Sequence, residues 1–302
     1  MVGSNVPSGD AERLLPRRLR KSVAQRLKLS LQQVDECWHA GRLRVVSPEG
    51  GEARQLSLDT LVFDDDRVLL DGVGIGHGST PSYALLNKPK HVTSTARDPD
   101  GKSDLAPYLR AMPPGCFAVG RLDRETTGLL LFTSDGDLAS AVLRPDHRTT
   151  KTYWLWLDEA VPDEDPRLRQ LTEGVCHHGE LLIAQSAHVA ARTEYATELE
   201  LTLVQGKNRQ IRNMCYALDF RLVHLHRTRI GPLTDAGLAV GAWRLLADSE
   251  VEALWQAAGG RSQLRERQVA ALMRQAHAAR VNGAPQPRLE RWLECEVADA
   301  HR

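Results

Sequence analysis

The pattern of hydrophobic and polar positions predicts two short strands that flank a charged loop in the middle of the chain. An apolar run at 117–119 stops at Gly120, and a second run begins after Gly128 and ends in a turn at 134–136. Apolar runs of this length, bounded by glycines and a turn, are typical of buried strands. The charged residues of 121–125 therefore lie on a loop held by a rigid scaffold, where catalytic groups are common.

Asp123 is the candidate catalytic residue of this loop. It lies between Arg121 and Arg124 in the sequence, and nearby cations favour the charged form of a carboxylate. An ionised carboxylate suits a nucleophile or an electrostatic stabiliser better than a proton donor. The loop alone leaves a second interpretation open, in which Asp123 forms a weak surface ion pair of the kind common in turns.

The rest of the pattern predicts a small domain followed by a larger one. Apolar residues recur at helical spacing from 11 to 40, and strands follow at 42–46, 56–62 and 67–70. Four alternating glycines within 72–80 precede a strand rather than a helix, so they indicate a linker and not a phosphate-binding loop. We divide the chain into a disordered N-terminus (1–10), a small domain (11–72), a linker (73–80), a larger domain (81–259) and a basic helical extension (260–302).

Within the larger domain we expect strands at 181–189 and 197–204, a helix at 163–173 and a helix that opens at Gly206 with three cations in its first turns. The extension could contact RNA, brace the main domain or do neither.

Charge and cysteine content exclude several classes of protein. The formal net charge is zero, yet nine basic residues face only three acidic ones within 11–44, and such local patches can follow phosphates. The five cysteines are dispersed without CxxC spacing, which argues against disulfides and zinc.

No signal peptide or membrane-spanning run is present in the sequence, so we expect a soluble cytoplasmic protein. His224 and His226 lack a third ligand at metal-site spacing, so we interpret them as polar residues on a sheet face.

Four motifs carry a resemblance to a known family. The stretch GRLDRETTGLLLFTSDG at 120–136 resembles the signature of pseudouridine synthases, in particular the RsuA-like branch that modifies ribosomal RNA. Three further stretches are similar to motifs of the same family: LNKP at 86–89, KTY at 151–153 and GKNRQIR at 206–212. The chain departs from the family pattern at His91, Ser134 and Asn213. The resemblance covers about residues 12 to 258, and GRLRVV at 41–46 resembles the S4-type RNA-binding fold.

The resemblance implies an α+β protein with a small S4-like N-terminal domain and a catalytic domain built on a mixed or antiparallel sheet. It implies that a specific uridine in RNA, expected in ribosomal RNA with transfer RNA as the alternative, is flipped out and isomerised to pseudouridine. Asp123 would attack C1′ or take a C2′ proton, Arg212 would pair with Asp123, and Tyr153 would lie against the base. No metal, cofactor or membrane partner is implied, and we expect a monomer.

We expect RNA contacts from ten basic residues: Lys88, Arg121, Lys151, Lys207, Arg209, Arg17, Arg18, Arg20, Lys21 and Arg42.

Two rival functions belong to other classes. The first is a non-catalytic RNA-binding or ribosome-assembly factor, against which the joint presence of Asp123, Tyr153 and Arg212 argues. The second is an RNA-acting hydrolase or glycosidase with Asp123 as nucleophile. That chemistry requires a second carboxylate as general acid, and Glu125 is the nearest in sequence.

Overall fold

The computed structural model describes residues 15–48, 57–63, 65–76, 80–144, 149–284 and 286–300, with the side chains of 297–300 excepted. The chain divides into two compact units, one of residues 80–261 and one that joins the residues up to 79 with those from 262 onward. The predicted disordered segment 1–10 and residues 77–79 of the predicted linker lie outside the described residues.

The smaller unit contains two short helices and two small sheets. Helix α1 (Leu19–Leu27) and helix α2 (Leu31–His39) occupy the segment with helical periodicity. Ser30 begins α2 with a capping box, because its hydroxyl accepts from the Gln33 amide while the Gln33 side chain accepts from the Ser30 amide. Strand β1 (Arg17–Arg18) pairs with β3 (Leu61–Val62), and β2 (Leu43–Val46), β4 (Arg67–Leu70) and β5 (Val73–Gly74) form a three-stranded antiparallel sheet.

The C-terminal extension completes this smaller unit. Helix α8 (Gly260–Val281) and helix α9 (Pro287–Ala300) bury Leu272 and Leu289 against one another, with Phe63 packed beside them. Arg288 on α9 donates to Asp66 at 2.8 Å, and its guanidinium lies 4.4 Å from the Phe63 ring centroid. The tail, whose role the sequence left open, is therefore a structural part of the N-terminal unit.

The larger unit is built on one mixed sheet, as predicted. Its main path, in spatial order, is β12 (Ser186–Arg192), β13 (Thr197–Leu203), β9 (Lys151–Leu157), β14 (Leu222–Ile230), β8 (Thr127–Thr133), β6 (Tyr83–Lys88) and β16 (Trp243–Leu245). Strand β7 (Phe117–Val119) pairs with β8, and β15 (Leu233–Thr234) pairs with β14. Strands β8 and β14 are parallel, whereas the other pairings are antiparallel. Together with the helices, this sheet makes the protein α+β.

Helices and a hairpin surround this sheet. They are α3 (Ala106–Ala111), α4 (Gly136–Leu143), α5 (Pro166–Glu173), α6 (Gln210–Ala217) and α7 (Asp248–Ala257), with the hairpin β10 (Val175–His177) and β11 (Glu180–Leu182). The prediction of a single strand over 181–189 is wrong, because the structure has two separate strands there, β11 and β12. The chain leaves the hairpin at Leu182 and enters the large sheet at Ser186, and the Ala184 amide between them donates to the Leu171 carbonyl at the end of α5.

Strand β8 lies in the interior of the sheet, next to β14, and the predicted loop precedes it. The side chains of 129–132 are fully buried, which accounts for their uninterrupted apolar sequence. Gly128 has φ of +105°, and a Cβ there would lie 2.3 Å from the Arg227 carbonyl oxygen. Only glycine allows β8 to approach β14 this closely. The close approach brings the 120–126 loop beside β14.

Candidate active site

A cleft of about 520 Å³ opens beside the 120–126 loop. The loop forms one side, and residues 203–212, β9 and β14 supply the others. Seven arginine or lysine residues line the cleft, and Asp123 is the one acidic residue among the described residues that do so. The cations are Arg121, Arg124, Lys151, Lys207, Arg209, Arg212 and Arg227. Such an excess of positive charge in a concave site attracts an anionic ligand.

Hydrogen bonds fix the loop on both sides of Asp123. The Leu122 amide donates to Ser94 Oγ at 3.0 Å, and the same hydroxyl donates to the Leu122 carbonyl at 2.6 Å. On the other side, the Thr126 amide donates to the Asp123 carbonyl at 3.0 Å. The backbone around the carboxylate is thus held by a neighbouring loop, which is the support that a preorganised site needs.

Two arginines converge on the Asp123 carboxylate. Asp123 Oδ2 lies 3.4 Å from Arg212 Nε and 3.6 Å from Arg209 Nη1. Arg212 also donates from Nη2 to Thr126 Oγ1 at 3.1 Å, so it joins α6 to the loop. The Asp123 side chain remains 30% exposed, and a ligand in the cleft can reach it. The structure therefore brings together the predicted pair, Asp123 and Arg212.

The segment before α6 differs from the prediction. The helix begins at Gln210 rather than at Gly206, and Arg209 precedes it with φ of +48° in the left-handed region. The Gln210 side chain accounts for the later start, because it accepts from the Lys207 amide and donates to the Ile183 carbonyl. The left-handed conformation costs about 1–2 kcal/mol, and in this conformation the Arg209 side chain contacts Asp123. Lys207 donates to the Leu181 carbonyl at 3.0 Å.

Tyr153 lies on β9 and lines the same cleft as Asp123. Its side chain is largely buried, and its phenol oxygen accepts from Arg227 Nη1 at 3.4 Å. Arg227 also donates from Nε to the Leu129 carbonyl at 2.7 Å. A tyrosine in this position presents part of an aromatic ring and a polar tip to a ligand.

Arg227 is the residue that the sequence analysis missed. It is only 5% exposed, although a basic residue next to His226 suggests a surface position. The signal was present in the alternation of β14, because Arg227 shares a face with the buried Leu225, whereas His224 and His226 point to the other face.

Two lysines expected to bind RNA donate hydrogen bonds to backbone carbonyls of the protein. Lys88 is fully buried, and its Nζ donates to the carbonyls of Pro89 and Val92 at 2.9 and 2.8 Å. Burial lowers the pKa of Lys88 to about 8. The ammonium of Lys88 therefore faces protein, and this position opposes the predicted phosphate contact. Lys151 donates to the carbonyls of Val142 and Thr149, and burial lowers its pKa to about 8, but it does line the cleft.

The two histidines of β14 form a polar chain with Thr127. Thr127 Oγ1 lies 3.2 Å from His224 Nε2 and 2.7 Å from His226 Nδ1, and His226 Nε2 lies 2.7 Å from Asp235 Oδ2. Burial, followed by the charge of His226, lowers the pKa of His224. Among the residues that the structure describes, no three His, Cys, Asp or Glu side chains are grouped as metal ligands.

Glu125 is poorly suited to the general-acid role that the hydrolase rival requires. Its carboxylate lies 3.0 Å from His91 Nδ1 and 3.1 Å from Arg124 Nη1. Burial raises the pKa of Glu125, but the hydrogen bond from His91 and the nearby cations outweigh this effect and lower it. A proton donor needs a raised pKa, so the surroundings of Glu125 oppose that function.

The predicted RNA contacts of the smaller unit are mostly paired with acidic residues. Arg18 pairs with Asp59, Arg20 with Asp35, and Arg42 with Asp71 at 2.6 Å. Arg17 donates to Gln25 Oε1 at 2.7 Å. Lys21 is exposed and makes no ion pair within the described ranges.

No helix in the part of the chain that the structure describes is both long enough and apolar enough to cross a bilayer.

Comparison with known proteins agrees with this arrangement. A family model described as RNA pseudouridylate synthase matches residues 82–217. The ribosomal small subunit pseudouridine synthase A of Escherichia coli (strain K12) is 33% identical over 235 residues, which cover 78% of this chain and 98% of that protein. The ribosomal large subunit pseudouridine synthase B of Bacillus subtilis (strain 168) is 30% identical over 239 residues, which cover 78% and 95% of the two chains.

A solved structure described as a pseudouridylate synthase superimposes with a TM-score of 0.54 at 26% identity and covers 78% of this chain and 99% of its own. The family model and both ribosomal relatives together extend the match well beyond the charged loop. The chain therefore belongs to the RNA pseudouridylate synthase family, in its RsuA-like branch.

Proposed function

We propose that the protein isomerises a uridine of ribosomal RNA to pseudouridine with Asp123 as its catalytic residue. The observation that carries the proposal is the position of Asp123, which is ion-paired with Arg212 in a cationic cleft that Tyr153 also lines. The ribosomal relatives support ribosomal RNA over transfer RNA as the substrate. One relative is named for the small subunit and the other for the large subunit, at 33% and 30% identity, so both subunits are candidates.

The reaction explains the residue types in the cleft. The C1′–N1 bond breaks, the uracil turns and a C5–C1′ bond forms. C5 loses its proton and N1 gains one, so atoms balance without a co-substrate. Asp123 acts at the sugar, by adding to C1′ or by removing a C2′ proton. Arg212 holds the carboxylate in place by a charge-assisted contact.

Base flipping provides access to the reacting atoms. An enzyme that acts on a base must take it out of the stack, and Tyr153 offers a ring against which the uracil can lie. Arg121 is exposed on the same loop as Asp123, where it can occupy the space that the base leaves or hold a phosphate.

RNA affinity comes from cations in both units. In the cleft we assign it to Arg121, Lys151, Lys207 and Arg209. In the smaller unit, two helices followed by antiparallel strands, with basic residues on α1 and β1, support an S4-like RNA-binding domain. Because binding through phosphates releases counterions, affinity should fall steeply with salt. The cytoplasm remains the predicted location.

The test maps pseudouridine in total RNA by carbodiimide-dependent primer-extension stops. RNA from a deletion strain is compared with RNA from strains that carry the wild-type protein, Asp123→Asn or Asp100→Asn. Asp100 is the matched control, because it is also a loop carboxylate paired with a cation, Lys102. We expect one ribosomal stop to disappear on deletion and to return with wild type and Asp100→Asn alone. In vitro, Asp123→Asn should lose about 10²–10⁴-fold in rate.

Either of two results contradicts the proposal. If every stop persists in the deletion strain and the purified protein modifies no ribosomal transcript, the binding-factor interpretation is preferred. If Asp123→Asn restores the modification fully, the reaction can stand but its assignment to Asp123 fails.

A further inference from the structure

Arg227 is a buried cation that lines the cleft, and one of its donor nitrogens lacks a hydrogen-bond partner among the described residues. Nε donates to the Leu129 carbonyl and Nη1 to the Tyr153 phenol oxygen, whereas the buried Nη2 has no hydrogen-bond partner among the described residues. A buried donor without a partner is unfavourable to folding, more so when it carries charge. Such a donor persists where a ligand can complete its hydrogen bonds.

The position of this donor is fixed by the strands on either side. Arg227 lies opposite Gly128 in the parallel pairing of β14 and β8. The close packing of the two backbones at Gly128 fixes the position of the Arg227 backbone relative to β8. The hydrogen bond from Nε to Leu129 then holds the guanidinium against β8. Nη2 is therefore a preorganised donor rather than the end of a mobile side chain.

Tyr153 and Arg227 together form a surface suited to a flat ring with oxygen at its edge. The Arg227 guanidinium lies 5.9 Å from the centroid of the Tyr153 ring, and both residues line the cleft that contains Asp123. A base that lies against the tyrosine ring would place its edge near the guanidinium. An arginine has donors and no acceptor, so it favours a ring carbonyl and disfavours an amino group.

We propose that Arg227 positions Tyr153 and donates from Nη2 to the O4 carbonyl of the target uracil, so that it selects uridine in the cleft. This inference rests on the proposed function. Cytosine carries an amino group where uracil has its O4 carbonyl. That amino group is itself a donor and would lie against the Nη2 donor without forming a hydrogen bond. The residue acts by positioning and selection, and the bond changes remain with Asp123.

The test replaces single oxygens of the base. An RNA oligonucleotide spanning the mapped uridine is made with uridine, 2-thiouridine or 4-thiouridine at that position, since sulfur is a weaker acceptor than oxygen. Pseudouridine formation is measured for the full-length wild type, Arg227→Met and Arg229→Met. Arg229 is the matched control, because it is an exposed arginine two residues further along β14.

We expect 4-thiouridine to slow the wild type about 10-fold or more, because sulfur weakens the acceptor that Nη2 meets, whereas 2-thiouridine should react within about twofold of uridine. Arg227→Met should be slower than wild type on uridine and should react with the uridine and thiouridine RNAs within about twofold of each other. Arg229→Met should keep the wild-type ratio. A ratio is unaffected by a smaller folded fraction, so it separates recognition from stability.

Several outcomes would overturn the inference. It fails if 4-thiouridine does not slow the wild type, if 2-thiouridine slows it equally, or if Arg227→Met keeps the wild-type ratio of uridine to 4-thiouridine. If Arg227→Met does not fold, Arg227→Leu, which also removes every donor, replaces it, and an unchanged ratio in that variant has the same meaning. If the wild type modifies no ribosomal RNA, the proposed function itself fails, which is a distinct result from an active enzyme with an unaltered ratio.

Discussion

The cleft and the basic surface of the smaller unit contain similar numbers of cations arranged in different ways. In the smaller unit, Arg18, Arg20 and Arg42 each have a separate aspartate partner. In the cleft, seven cations surround one carboxylate among the described lining residues. A local excess of basic residues in the sequence therefore does not measure the charge available to a ligand. In the smaller unit, part of that excess is neutralised by aspartates from the following acidic segment, such as Asp59 and Asp71.

The energetic value of the ion pairs differs accordingly. Exposed pairs such as Arg42–Asp71 contribute little to stability, because water screens the charges. The Arg212 side chain is only 17% exposed, and it also hydrogen-bonds to the loop that carries Asp123. Arginine thus adds little stability at the surface of the smaller unit, whereas in the cleft Arg212 holds the loop that carries Asp123.

The largest effect expected from this comparison is the fall in rate when Arg212 is replaced. Arg212→Gln should lower the rate of pseudouridine formation by about 10²–10³-fold, the usual cost of removing a preorganised charged donor. The control is Arg280→Gln, which breaks an exposed pair with Glu290 in the smaller unit and should change the rate by less than about twofold. The measurement is single-turnover kinetics on the mapped RNA. Equal losses in the two variants would show that general stability, and not the cleft, sets the rate.

A smaller effect is expected from the buried lysines of the larger unit. Burial lowers the folded-state pKa of Lys88 to about 8, below the usual value of about 10.4. Between these values the unfolded chain binds a proton that the folded chain does not, so stability should rise with pH over this range. The rise due to Lys88 is about 3 kcal/mol at most.

The measurement for Lys88 is urea unfolding from pH about 7.5 to about 11, which spans the interval between the two pKa values, about 8 and about 10.4. Lys88→Met should remove this part of the pH dependence, whereas Lys21→Met, at an exposed site, should keep it. Parallel pH profiles for wild type and Lys88→Met would contradict the role assigned to burial.

The smallest effect concerns the surface of the smaller unit. If this unit binds RNA phosphates, Lys21→Gln should reduce the slope of log affinity against log salt by about 1. Arg42→Gln should reduce it less, because Asp71 already holds that guanidinium. Filter binding of the mapped RNA at several salt concentrations measures both slopes. Equal reductions would show that the ion pair with Asp71 opens when RNA binds, and two unchanged slopes would argue against the S4-like interface.

The sequence predicted those parts of the site that are contiguous along the chain. The two apolar runs around Asp123 became β7 and β8, and the alternating segment that begins at Lys151 became β9 with Tyr153 in the cleft. In these segments, local periodicity and the final environment agree. The pairing of Asp123 with Arg212 was expected from the family resemblance, and the structure places the two side chains together.

The features that could not be predicted depend on partners distant in sequence. Lys88 ends a strand and looked exposed, but β8 and β16 flank that strand and the lysine is buried. The burial of Arg227 requires the parallel pairing of β14 with β8, across about a hundred residues. The start of α6 depends on a carbonyl of the 183–185 segment, which accepts from Gln210. Periodicity within one segment contains no information on such contacts.

The close contact between Gly128 and the Arg227 backbone has a consequence for judging related sequences. Any side chain at position 128 would place its Cβ 2.3 Å from a carbonyl oxygen, far inside van der Waals contact, and would force β8 away from β14. A gene copy could then keep the aspartate and both arginines and still encode a protein that no longer assembles them. For sorting active copies from decayed ones, the glycine is as informative as the carboxylate, although it takes no part in the chemistry.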